Sequence, residues 1–157
     1  MPDFLHTPVY NRAMLVTRNN IKLTLEGART ILRGAEARAA AIGVPMDVAV
    51  VDDGGILLAF ARMDGAKLTS VEISINKAFT AAGTRKGTHE YAAIANAGGP
   101  AFGIHASHGG RFTVFGGGLP IVALGQTIGG VGCSSGSPEQ DRDVAQAGID
   151  ALLAALE

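Results

Sequence analysis

The chain has 157 residues, enough for one domain with a modest core, and it contains no Trp but 22 Gly. Its net charge is -1 with Lys and Arg dispersed along the sequence, which excludes a basic nucleic-acid surface. The single Cys133 excludes an intrachain disulfide and fits a reducing compartment, and no apolar run reaches the roughly 18 residues that cross a membrane.

The first residues, MPDFLHTPVYNRAML, have no basic stretch followed by an apolar run, so the expected address is cytoplasmic, without a signal peptide. Periodicity then predicts a helix over 24–42. Thr24 can cap it, and Leu25, Ala28, Ile31, Leu32 and Ala35 share one face. Residues 46–52 read as a strand, Asp52-Asp53-Gly54-Gly55 as a tight turn, and 56–62 as the returning strand. A second helix is predicted over 69–84. Val71, Ile75, Ala78, Phe79 and Ala82 form its apolar stripe; Ser70, Ser74, Lys77 and Ala81 form a second, mostly polar one. Thr88 can start a short helix through Ala95. Residues 119–124 and 127–133 read as a hairpin around Gly125-Gln126. Ser137-Pro138-Glu139-Gln140 starts a last helix, with Ala145, Gly148, Ile149, Leu152 and Leu156 facing inward. Hairpins instead of βαβ units imply a single α+β domain with an antiparallel sheet of about five strands.

The chemistry concentrates in 88–119. That stretch holds His89, His105 and His108, the aromatics Tyr91, Phe102, Phe112 and Phe115, and the run Gly116-Gly117-Gly118. Flat apolar area, imidazole and unhindered backbone together suggest a pocket wall. His105-x-x-His108 would place two imidazoles on one metal in a helix, but two histidines alone more often lie on a polar surface. Gly132-Cys133-Ser134-Ser135-Gly136 matches the nucleophile-elbow pattern, yet every His precedes it, against a serine hydrolase of that type. Two readings of this loop stay open: an anion site at a helix N-terminus, or simple capping by its serines. Arg62 and Asp64 either pair with each other or face a ligand. Lys77, Arg85 and Arg111 are candidates to hold a carboxylate, Lys77 especially because small residues surround it on its stripe.

Several motifs in order resemble the GlcG/HbpS family, which includes the C-terminal domain of PduO-type proteins. They are AVVDDGGILLAFARMDGA, Ser70 followed by KAFTA, GGGLPI, and GGVGCSSGSPEQDRDVAQAG. The resemblance covers roughly 24–156, and the matching positions include Arg62, Asp64, Lys77, Gly116 to Pro120, Ser134 and Asp141. It implies a profilin-like fold, a homo-oligomer and, in several members, haem binding. Cys133 departs from the Val common at its position, and His105 to Arg111 is richer in polar groups than haem contact requires.

Three functions follow from these residues. In the first, the protein binds haem: His105 or His108 is the axial ligand, Phe102, Phe112 and Phe115 flank the ring, and Lys77 or an Arg pairs with a propionate. In the second, it is an enzyme of organic-acid catabolism working by hydration, elimination or tautomerisation. His105 or His108 moves a proton, and the N–H groups of Gly116 to Gly118 or of Ser134 to Gly136 meet the developing charge. In the third, it is a non-catalytic structural or sensory oligomer. The ligand-binding reading ranks first.

Overall fold

In the computed structural model, which describes residues 19–157, α1 (Leu25–Ala41) starts where the Thr24 hydroxyl accepts the Gly27 N–H. The reading of Met1 to Leu15 lies outside the described residues. Strands β1 (Asp47–Asp52) and β2 (Leu57–Arg62) form the expected hairpin. Asp52 Oδ1 accepts the N–H groups of Gly54 and Ile56 at 2.9 Å each, which closes the turn. The chain continues through α2 (Ser70–Thr84), α3 (Thr88–Ala92), a 3-10 segment (Ile104–Gly110), β3 (Gly118–Ala123), β4 (Gln126–Ser134) and α4 (Pro138–Ala155). The second hairpin turns at Leu124-Gly125, one residue earlier than predicted. Both residues have positive φ, 48° and 76°, as a mirror-image two-residue loop demands.

The sheet has four strands, in the order β2-β1-β4-β3, and every neighbouring pair is antiparallel. The α+β class stands, but the estimate of about five strands is one too many. The chain just before β3 bonds to a helix: Thr113 N–H donates to Thr80 Oγ1 on α2, 2.9 Å away.

Helices α1 and α4 pack together on one face. Ile31, Leu32, Val48, Val50, Val131, Val144, Ile149 and Leu152 build the main core there. Leu25 and Leu156, expected to face inward, are exposed because they lie at the ends of their helices, beyond the sheet's cover.

Helix α2 covers the other face, and here only part of the predicted apolar stripe is buried, while the polar stripe is buried throughout. Ser70, Ser74, Lys77 and Ala81 are buried, together with Ala78, Thr80 and Ala82, whereas Val71, Ile75 and Phe79 are only partly covered. The cause is on β4. A Cβ at Gly130 would run into Ala78 O, and one at Gly132 into Ser74 O, so the helix backbone lies almost directly on the strand. Only the small stripe fits into that gap.

Candidate functional site

The close approach of α2 to β4 carries Lys77 to the edge of the sheet where β3 has not yet begun. Its side chain is fully buried. Nζ donates to Asp141 Oδ2 at 2.7 Å and to Cys133 O at 2.9 Å, and it lies 4.8 Å from the Phe115 ring centroid. Burial pushes the ammonium below the ordinary lysine range, and the Asp141 carboxylate opposes that shift. Gly117, with φ +123°, wraps the pair; a Cβ there would sit 2.6 Å from both Lys77 Nζ and Cys133 O. The carboxylate predicted for Lys77 therefore exists, and it is the protein's own. Cys133 is buried and its thiol is held protonated by desolvation, as suits a small apolar core residue.

The same Asp141 bears on the two readings of the Gly/Ser loop. Its Oδ1 accepts the Gly136 N–H at 2.9 Å. Ser137 and Gln140 close a capping box, Ser137 N–H donating to Gln140 Oε1 and Gln140 N–H to Ser137 Oγ. These donors at the helix N-terminus are satisfied from within the chain, which favours capping.

Directly outside this pair lies a groove of about 650 Å³, walled by α3, the Phe115-Gly116 loop and the first turns of α4. His89, Phe115, Pro138, Glu139 and Arg142 line it. Its volume falls within the roughly 300–1,000 Å³ typical of ligand sites. Thr88 ties α3 to the sheet by accepting the Gly118 N–H at 2.9 Å, which sets His89 at the groove. The imidazole is half-buried against Gly87, whose missing Cβ leaves room for the ring. Nδ1 is buried without a partner, and no hydrogen bond joins Nε2 to another described residue. His89 followed a Gly-Thr cap with no other mark in the sequence, so nothing there separated it from an ordinary surface histidine. Arg142 was missed for the same reason.

The other predicted residues are scattered. The segment from His105 to Arg111 docks on the outer side of α2. Arg111 stacks on Phe79 at 3.9 Å, and His108 meets the same ring edge-on with centroids 5.4 Å apart. Both histidines are exposed, and the expected helix between them is broken: Ser107 is extended, and His108 has φ 54°. The helical spacing that would bring both imidazoles to one metal is thus absent. Among the described residues there is no cluster of three or more metal-ligating side chains. Phe112 is a core residue packed edge-on against Tyr91, and Phe102 is exposed outside the groove. Arg62 and Asp64 are exposed and form no ion pair with each other. Arg85 ends α2 in the left-handed conformation and lines a smaller depression beside the groove. Of the predicted set, Phe115 and Gly116 line the groove, while Gly117 and Gly118 pack around Lys77.

One buried group was not anticipated. Asp47 is fully buried with both carboxylate oxygens unpartnered. Strand alternation puts it on the α2 side with Ala49 and Val51, in register with Ser134 and Arg62. Burial raises its pKa above the usual carboxylate range, and the Arg62 charge only partly offsets this.

Comparison with known proteins agrees with this architecture. The family described as haem degrading protein HbpS-like matches residues 23–150. The chain is 43% identical over 128 residues to an uncharacterised 15.0 kDa protein from the dhaT-dhaS intergenic region of Citrobacter freundii, covering 82% of this chain and 90% of that one. Protein ORFY of Klebsiella pneumoniae superposes with a TM-score of 0.86 at 36% identity, covering 90% of this chain and 99% of ORFY. A crystal structure of PduOC in complex with haem superposes with a TM-score of 0.80, also at 36% identity, covering 83% of this chain and 95% of PduOC. The match in sequence and in fold runs over most of the chain, and the protein belongs to the HbpS-like family, within the GlcG/HbpS group its motifs resemble.

Proposed function

We propose that this protein binds a planar, carboxylate-bearing ligand of the haem class in the groove beside α3. The observation that carries the reading is the His89 imidazole, its Nδ1 buried without a partner, on the wall of a groove large enough for such a ligand. A neutral imidazole nitrogen is an axial haem ligand. Phe115 supplies flat apolar contact beside it, and Arg142 is the groove's guanidinium for a propionate. Bound haem would supply redox or oxygen chemistry; the chain's own residues hold and orient it. The relative solved with haem supports this choice of ligand class.

A second reading has one specific observation in its favour. A smaller depression of about 340 Å³ shares His89 and Gln146 with the groove and carries Arg85 and Lys86. A small organic acid would find an imidazole near cations there, the set needed for proton transfer.

Titration with haemin separates the two. Wild type is expected to give a shifted Soret band. His89→Ala should lose at least about tenfold in affinity, equivalent to 1.4 kcal/mol, while the double variant His105→Ala/His108→Ala keeps the wild-type curve. An unshifted haemin spectrum with wild type would remove the haem reading. Loss confined to the double variant would return the iron to the 3-10 segment.

A further inference from the structure

Lys77 reaches both walls of the groove without being exposed in it. Phe115 covers the ammonium on one side and lines the groove with the rest of its ring, which is 40% exposed. Cys133, whose carbonyl accepts from Nζ, donates its own N–H to Gly117 O at 2.9 Å, so the loop that carries Phe115 is bound at a second point. On the opposite wall, Asp141 accepts from Lys77 Nζ with one oxygen and from the Gly136 N–H with the other. That pins the turn from which Pro138, Glu139 and Arg142 enter the groove. One buried ion pair therefore links the Phe115 loop, the end of β4 and the start of α4. We infer that Lys77 and Asp141 are positioning residues for the groove, fixing the distance and tilt of Phe115 relative to the first turn of α4.

A buried ion pair with no such task can often be replaced by uncharged groups at little cost. That makes Lys77→Met/Asp141→Asn the informative variant. It removes both charges together, and the introduced amide retains an oxygen for the Gly136 N–H. The ligand arm rests on the groove being the binding site. In that arm, haemin affinity falls about tenfold in the double variant and about as much in Phe115→Leu. The triple variant is no weaker than Phe115→Leu, because all three changes remove one device. Unchanged affinity in the double variant, or losses that multiply in the triple, overturns the inference.

If the double variant does not fold, wild type decides the matter by NMR. The Lys77 ε-methylene resonance moves when diamagnetic gallium protoporphyrin is added, and it ceases to move in Phe115→Leu. A resonance that stays put, or that moves equally in both proteins, overturns the inference. If wild type leaves haemin unaltered, the haem reading falls, and hydrogen exchange on the ligand-free proteins tests the positioning role alone. The Cys133 N–H then exchanges about tenfold faster in Lys77→Met/Asp141→Asn if the pair holds the loop, and at the wild-type rate if it does not.

Discussion

The two faces of the sheet are packed by opposite means. Under α1 and α4, branched apolar side chains such as Ile31, Val48, Val131 and Val144 fill the space between layers. Under α2 the apolar cluster shrinks to Ala49, Val51, Ala78 and Ala82, and glycines bring backbone against backbone. The first face gains stability from buried apolar area. The second gives up much of that area for proximity, and all the fully buried charged side chains among the described residues, Lys77 and Asp47, belong to it. The groove opens where this tight layer meets the start of α4.

The sharpest test of this contrast changes one carbon on each face. Adding one at Gly132 (Gly132→Ala) drives Cβ into Ser74 O, a backbone atom that cannot yield, and should cost more than about 4 kcal/mol or prevent folding. Removing one at Ile31 (Ile31→Val) should cost roughly 0.5–1.5 kcal/mol in the same urea titration. Similar costs would mean that the α2 layer can relax and the contrast is false.

Next in size is Lys77→Met alone. It strands Asp141 as a buried charge without its cation and should cost roughly 3–5 kcal/mol, with Lys77→Met/Asp141→Asn recovering most of it. No recovery would show that the ammonium, and not the balance of charge, holds this corner.

The smallest effect has the opposite sign. Because the Asp47 pKa is raised in the folded protein, the native state keeps a proton that the unfolded chain releases. Stability therefore falls as pH rises from the ordinary carboxylate value through the folded one, and stays lower above it. Asp47→Asn should gain on the order of 1 kcal/mol at pH 7 and nothing below about pH 3, where the carboxyl is neutral in both states. An equal effect at both pH values would show that ionisation of Asp47 is not what costs stability.

Helix starts, turns and the main hairpins were legible in the sequence because their causes are local. Thr24, the Ser137 box and the Asp52 turn each act on atoms within four residues. The motifs carrying the family resemblance were legible too, and Gly116 to Gly118 do lie at the groove and around Lys77. The polar residues crowded from His105 to Arg111 drew attention in the sequence. His108 and Arg111 lie against Phe79 outside the groove, and the crowding in sequence carried no information about burial.

Local periodicity and turn chemistry in the sequence thus determined which segments are helix or strand and that the sheet is antiparallel. Tertiary structure alone decided which face of α2 is buried, because Gly130 and Gly132 on a distant strand set the space available. It also decided the partner of Lys77, which lies 64 residues away in Asp141, and it placed His89 on the wall of a groove. A side chain's neighbours across the core come from other segments, and no pattern within its own segment contains them.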